Sequence, residues 1–224
     1  MLPKKIVIVD DVPMLIHAAH QYLMQMSNLQ LVASGSVGEE ILQLTQLHQP
    51  DILIFDYRLP NQSPHAPCIA LLPTILQLQQ LQPQTKLIIW TRCKDAVPIY
   101  HAVRAQVDAI VCKGDPPQLL LTAIQTILND QTYLSPGATR AYTTSLQLEV
   151  AGVSLRQQEV ITNLIHHPHY VNEQLAQMMG ISKSTFKTHL GLAMRTMNAH
   201  NSRTALALKG LQLGIASLDD AVLG

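Results

Sequence analysis

The sequence predicts an α/β domain built on a parallel sheet, followed by an all-α domain. Three observations carry this. Five short apolar runs, at residues 6–9, 29–33, 52–55, 86–90 and 108–112, recur through the first half of the chain. Stretches with apolar residues at helical spacing separate them, the alternation that βαβ crossovers impose on a parallel sheet covered by helices on both faces. Past about residue 130 the alternation stops, and the rest reads as helices bounded by capping residues and glycines.

Residues 6–9 are a buried-strand run that stops at Asp10-Asp11, and Pro13 opens a helix to about residue 25, with Leu15, Ile16, Ala19, Leu23 and Met26 on one face. A strand over 29–33, a turn between Gly35 and Gly38 and a helix over 39–47 with an acidic first turn come next. The third strand, 52–55, is four consecutive apolar residues suited to burial on both faces, and Asp56 stands where it stops. Leu59-Pro60 keeps a helix from starting at once, and the proline-rich loop over 60–67 leads to a helix over 69–81 that Pro73 starts late or bends. The fourth strand, 86–90, ends at Thr91; a helix covers 95–104; the fifth strand, 108–112, ends at Lys113; a helix over 116–129 closes this half.

Hydrophobic residues make up 47% of the 224 and the formal net charge is zero, a globular composition that excludes disordered and fibrous classes. No run reaches the ~18 apolar residues of a bilayer span, so no membrane partner and a cytoplasmic location are expected. Cys68, Cys93 and Cys112 share no metal-ligand spacing and suit a reducing compartment. Charge is unevenly placed. Residues 1–130 carry eight Lys/Arg against ten Asp/Glu, and residues 154–210 carry six against two, which points to different partners for the two halves.

Asp10, Asp11, Asp56, Thr91 and Lys113 all follow carboxyl ends of strands, so they share one edge of the sheet. In the doubly wound, flavodoxin-like order 2-1-3-4-5, the first and third strands are neighbours about 4.8 Å apart at the switch point, where ligands bind. Three carboxylates converge there, and oxygen ligands with room for water suit Mg²⁺. Lys113 and the Thr91 hydroxyl are placed to hold the oxygens of an incoming phosphoryl group, which an Asp carboxylate can accept as nucleophile.

Over about residues 4–130 the sequence resembles the response-regulator receiver domain, on Asp10-Asp11 before Pro13, Pro50-Asp51 entering a strand, Asp56 through Leu59-Pro60, Thr91, and Lys113-Gly114-Asp115. The resemblance implies Asp56 as phosphoacceptor for a histidine kinase, Asp10, Asp11 and Asp56 as Mg²⁺ ligands, Thr91 as switch hydroxyl and Lys113 as phosphate contact. Two positions depart from the family. Arg92 stands where a small residue is usual, so its bulk narrows the approach or its guanidinium adds a phosphate contact. Ile110 holds the aromatic switch position, so a ring that reports phosphorylation is missing and switching is expected to be weakened.

Residues 131–152 read as a partly helical linker, with a turn at Ser135-Pro136-Gly137 and a short helix over 138–148. Ser154 and Gln157 form a capping-box pattern opening a helix to His166, which Pro168 stops. Asn172 is expected to cap a helix over 173–179, Gly180 to take the left-handed position after it, and Ser182 to cap a longer helix to about Met197. These two helices make a helix-turn-helix, whose second member carries Lys183, Lys187 and Arg195. A fourth helix runs over 203–213 to Gly214.

Over about residues 152–215 the sequence resembles the LuxR-type DNA-binding domain of NarL/FixJ-class regulators. The carrying residues are Ser154-Leu155 through Glu159-Val160, Asn172-Glu173-Gln174-Leu175-Ala176, Gly180-Ile181-Ser182, Thr185-Phe186-Lys187-Thr188-His189-Leu190 and Asn201-Ser202-Arg203-Thr204. The resemblance implies that the helix from Lys183 enters the major groove of double-stranded DNA. Lys187 and Thr188 then face base edges, and Lys183, Ser184, Thr185, His189 and Arg195 face phosphates. Gly191 holds a position that relatives often fill with a polar contact, and low affinity per domain is expected.

The histidines around Pro168 read as an inter-helix loop, and the methionines at 178, 179, 194 and 197 as core. The domains expected are therefore a receiver over 1–130, the linker over 131–152 and a four-helix DNA-binding domain over 153–224. The leading function is a two-component transcriptional regulator, not a turnover enzyme, phosphorylated on Asp56 and acting on DNA as a homodimer. The alternative is an atypical regulator acting mainly through protein contacts. A dehalogenase-like phosphohydrolase needs a second acid two residues after the nucleophile, where this chain has Arg58.

Overall fold

β-Branched runs form the inner strands because both their faces are covered, and every side chain of Ile6, Val7, Ile8, Val9 and of Ile52–Phe55 has zero exposure. The computed structural model describes residues 2–63, 71–92 and 94–216. Within them the order is β1 (Lys4–Val9), α1 (Pro13–Leu23), β2 (Leu29–Gly35), α2 (Glu39–His48), β3 (Ile52–Phe55), α3 (Leu71–Leu81), β4 (Lys86–Thr91), α4 (Ala96–Arg104), β5 (Ala109–Cys112), α5 (Gln118–Leu128), β6 (Tyr133–Leu134) and α6 (Pro136–Val150). Four more helices follow: α7 (Leu155–His166), α8 (Asn172–Met178), α9 (Lys183–Thr196) and α10 (Arg203–Gln212). Cys68, Cys93, the start of the helix expected over 69–81 and part of the proline-rich loop lie outside the described residues. Among the described residues no helix is long and apolar enough to cross a membrane.

The doubly wound α/β architecture is as the sequence implied, with one addition. All pairings are parallel, in the order β2-β1-β3-β4-β5-β6. The sheet has six strands where five were expected. Tyr133 N–H donates to Asp108 O at 3.0 Å and Ser135 N–H to Ile110 O at 3.0 Å, attaching β6 to the edge. Two residues cannot display a period, so the sequence carried no strand signal there. The turn expected at Ser135-Pro136-Gly137 is instead the start of α6, which is 15 residues long; Pro136 fits the first helical position because its missing N–H has no partner to lose there.

Backbone contacts divide the chain into two units, residues 1–93 with 101–138, and residues 94–100 with 139–224. In the first, Ile6, Ile8, Ile52, Ile54, Ile88 and Trp90 pack with Leu120, Ile124 and Ile127 of α5 on one side of the sheet. In the second, Phe186 and Leu190 of α9 pack with Val160, Ile161 and Leu164 of α7 and Leu206 of α10. Gly210 lets α10 approach α7 closely, since a Cβ there would lie 2.3 Å from Ile161 Cγ2. Ser154 and Gln157 form the expected capping box, and Gly180 takes φ +64° after α8. One capping expectation is corrected: Val171, not Asn172, precedes α8, because Gln174 Oε1 reaches back to accept the Val171 N–H at 2.9 Å and draws Asn172 into the first turn.

Candidate functional site

Strand register assembles the first site. Val9 pairs with Phe55 and Thr91 with Cys112, so Asp10, Asp56, Thr91 and Lys113 arrive at one level on the sheet's carboxyl edge. The Asp56 N–H still donates to Val9 O at 3.1 Å and the Lys113 N–H to Thr91 O at 2.7 Å, which holds both side chains to the ends of their strands. Asp10 and Asp56 are 1% and 2% exposed.

Both carboxylate oxygens of Asp56 are engaged. Its Oδ1 accepts from Thr91 Oγ1 at 2.7 Å and from the Arg58 N–H at 3.0 Å, and its Oδ2 accepts from Lys113 Nζ at 2.7 Å. The same ammonium lies 2.5 Å from Asp10 Oδ2, a charge contact outside hydrogen-bond angles, so that oxygen is buried with no hydrogen bond. Asp10 Oδ1 takes the Val12 N–H at 3.0 Å. The ring of Trp90 sits under Lys113, 5.5 Å from centroid to Nζ, adding a cation–π attraction. Burial pushes the Asp10 carboxyl above the ordinary carboxylate range; Lys113 and the Val12 N–H pull the other way, and the Asp56 charge adds to the rise.

Two buried carboxylates thus share one ammonium and keep an excess of negative charge. That deficit, the oxygen-only donor set and the unbonded Asp10 Oδ2 fit a hard divalent cation. The structure brings Asp10, Asp56, Thr91 and Lys113 together. It does not bring Asp11 with them: Asp11 is exposed, and among the described residues no three acidic, His or Cys side chains gather in a metal-binding arrangement. Arg92 is exposed. Ile110 is fully buried within β5 and paired to both Ile89 and Leu134, a core residue with no ring to swing.

Two features escaped sequence reasoning. Trp90 precedes Thr91 and so falls on the opposite face of β4, where it supports Lys113 from below. Asp115, two residues past Lys113, accepts from Ser135 Oγ at 2.6 Å and from the Gly137 N–H at 2.8 Å, while Ser135 Oγ accepts the Cys112 N–H at 3.0 Å. This junction ties the end of β5 to the first turn of α6. The proximity of Lys113 and Asp115 was the only available signal.

In the second unit, α9 buries Phe186, Leu190, Ala193 and Met194 and leaves Lys183, Ser184, Thr185, Lys187, Thr188 and Arg195 exposed, with His189 half-buried. Ser182 Oγ caps the helix by accepting the Thr185 N–H at 3.0 Å, and Thr188 Oγ1 donates back to Ser184 O at 3.1 Å. Several basic side chains of this unit already have partners. Arg156 pairs with Glu159 and Lys183 with Glu173; Arg203 donates to Tyr170 O, and Lys209 closes the end of α9 on Met197 O and Asn198 O. Lys187 and Arg195 remain without a partner among the described residues.

A match to the response regulator receiver domain spans residues 6–125, more than half of the chain. The oxygen regulatory protein NreC of Staphylococcus carnosus is 25% identical over 209 residues, covering 87% of this chain and 91% of its own; NreC of Staphylococcus haemolyticus is 26% identical over 200 residues. Among solved structures, RcsB of Salmonella enterica serovar Typhimurium bound to promoter rprA superposes with a TM-score of 0.64 at 17% identity, covering 92% of this chain and 97% of that one. A structure of two RcsB dimers on two parallel DNAs gives 0.62 at 16% identity over 98% and 99%. At such identity these neighbours speak for the fold, and they are full-length regulators with a receiver and a helix-turn-helix domain. With a receiver match over most of its α/β half and the acidic, hydroxyl and lysine side chains of that half gathered at one sheet edge, the chain belongs to the response-regulator family.

Proposed function

We propose that this protein is a two-component transcriptional regulator of the cytoplasm that accepts a phosphoryl group on Asp56 from a histidine kinase and acts on double-stranded DNA through α9. The observation that carries the reading is the placement of Lys113 and Thr91 on the two oxygens of one buried carboxylate. In the transfer, an Asp56 oxygen attacks phosphorus, the bond from phosphorus to the kinase imidazole breaks, and the imidazole leaves. Lys113 and Thr91, which donate to the two carboxylate oxygens before transfer, then turn to phosphoryl oxygens. Asp10 and Asp56, with the neighbouring Asp11, would hold Mg²⁺, which would supply charge neutralisation for the phosphoryl oxygens. Lys113 spans both carboxylates and holds them together at the sheet edge.

For DNA, Lys187 and Thr188 are the base-reading residues of this proposal, and Lys183, Ser184, Thr185, His189 and Arg195 the backbone contacts. The solved neighbours, RcsB on promoter DNA and RcsB dimers on DNA, support a homodimer on paired half-sites. The test is incubation with a small phosphodonor, with and without Mg²⁺, followed by peptide mass mapping. Labelling confined to Asp56 and dependent on Mg²⁺ is expected; an unlabelled Asp56 overturns the reading. A second reading, regulation mainly through protein contacts, is favoured by Ile110, whose burial in β5 leaves no aromatic reporter. It requires that duplex DNA be retained no better than a matched anionic polymer.

A further inference from the structure

We propose that Glu173 is a built-in brake on DNA affinity, holding Lys183 so that one domain alone binds duplex weakly and pairing of two domains is needed for occupancy. The inference rests on the DNA reading given above and adds a determinant that lies off the groove-entering helix. Lys183 opens α9 directly after the Ser182 cap, and Glu173 lies in the first turn of α8. Their side chains meet across the intervening turn, Nζ to Oε2 at 2.8 Å, and are 51% and 71% exposed. The ion pair holds the Glu173 carboxyl below its ordinary range, so it is charged at any pH at which DNA is bound.

An exposed pair of this kind is weak enough for a phosphate to break. Breaking it does not remove the carboxylate. Glu173 stays beside the first turn of α9 and faces any phosphate that takes its place on Lys183, so the net charge this pair offers DNA is zero rather than +1. The effect matters because Lys183 and Arg156 are the two cations offset by carboxylates here, Arg203 and Lys209 are turned toward backbone carbonyls, and Lys187 and Arg195 are the other cations of α9. Each phosphate neutralised contributes about −0.9 to the slope of log affinity against log salt. Losing the Lys183 contact therefore weakens binding about eightfold per domain at 0.1 M salt.

The test titrates a fluorescent duplex of scrambled sequence with the full chain between about 50 and 200 mM salt, comparing the unaltered protein with Glu173→Gln, Lys183→Gln, the double variant and Glu159→Gln. Glu173→Gln is expected to bind five- to tenfold more tightly per domain at 0.1 M salt and to steepen the slope by about 0.9 per domain. Lys183→Gln leaves the Glu173 charge unbalanced and should weaken binding on its own, and in the Glu173→Gln background it should cost about that same factor. Glu159→Gln removes an equal charge from α7, leaves the α8–α9 pair intact and should shift affinity far less. Glu173 and Lys183 are surface residues, and unchanged melting curves verify that the variants fold. Equal slopes for the unaltered protein and Glu173→Gln overturn the brake while leaving the DNA reading standing, as does an equal gain from Glu159→Gln. Weaker binding by Glu173→Gln also overturns it, since the pair would then be orienting Lys183 for a phosphate. Absence of salt-dependent retention for every variant removes the DNA reading and the brake together.

Discussion

Replacing Lys113 with Met tests the electrostatics of the sheet-edge site without touching the carboxylates. The substitution deletes the one ammonium shared by Asp10 and Asp56, whose side chains are 1% and 2% exposed. Removing one partner of a buried ion pair costs about 3–5 kcal/mol. For a chain of this length that is a fall in melting temperature of roughly 6–20 °C, at about 2–4 °C per kcal/mol. The loss should depend on pH in a definite direction. The Asp10 carboxyl already lies above its ordinary value of 3.8, so the folded state holds that proton more tightly than the unfolded chain does. Its contribution to stability is complete below the unfolded value and disappears as pH rises through the folded one. Without Lys113 the folded value climbs further, so the variant should suffer most near neutrality and recover as the solution becomes mildly acidic. A divalent cation replaces the missing charge, so Mg²⁺ should restore stability to the variant more than it adds to the unaltered protein. Urea melts followed by fluorescence of Trp90, the single tryptophan of the chain and 5.5 Å from the Lys113 ammonium, read the effect at the site. Equal stability of the two proteins at neutral pH without Mg²⁺, or a loss that does not vary with pH, would refute this electrostatic account.

Three further substitutions have definite expected outcomes. Asp10→Asn should raise the stability of the Mg²⁺-free protein at neutral pH by about 1 kcal/mol, by removing a buried charge that Lys113 only partly balances, and should abolish stabilisation by Mg²⁺ in the same melts. Gly137→Ala would put a Cβ 2.8 Å from Asp115 Oδ2 and 3.0 Å from Cys112 Sγ; a loss of about 1–3 kcal/mol is expected, partly relieved by Asp115→Ala in the double variant. Gly191→Ala meets only Arg195 Nη1, at 3.9 Å, in the middle of α9, so helix propensity alone should stabilise the C-terminal unit by about 0.5–1 kcal/mol in chemical denaturation.

The inner strands were legible because burial on both faces leaves an uninterrupted apolar run, as at Ile52–Phe55. The sheet-edge site was legible for a related reason: polar residues that end such runs share the carboxyl edge, which named Asp10, Asp56, Thr91 and Lys113 before any contact was known. Spacing could not say which way each side chain turns, so Asp11 was grouped with Asp10 although only Asp10 is buried on Lys113. Strand β6 was illegible because two residues carry no period, and α6 was read short because Pro136 looks like a turn residue when it opens a helix. The C-terminal helices announced themselves through Ser154, Ser182 and Gly180. The charge state of the exposed side of α9 did not: Lys183 and Glu173 are ten residues apart across a turn, and no local pattern reveals that one neutralises the other.

Equilibrium binding of the full chain to a duplex obtained by selection, measured with and without phosphodonor and Mg²⁺, tests the link between the two ends of the molecule most directly. The account expects the donor to tighten binding by the unaltered protein and to leave Asp56→Asn unchanged at the weak level. Binding that is equally tight for both proteins and indifferent to the donor would contradict it.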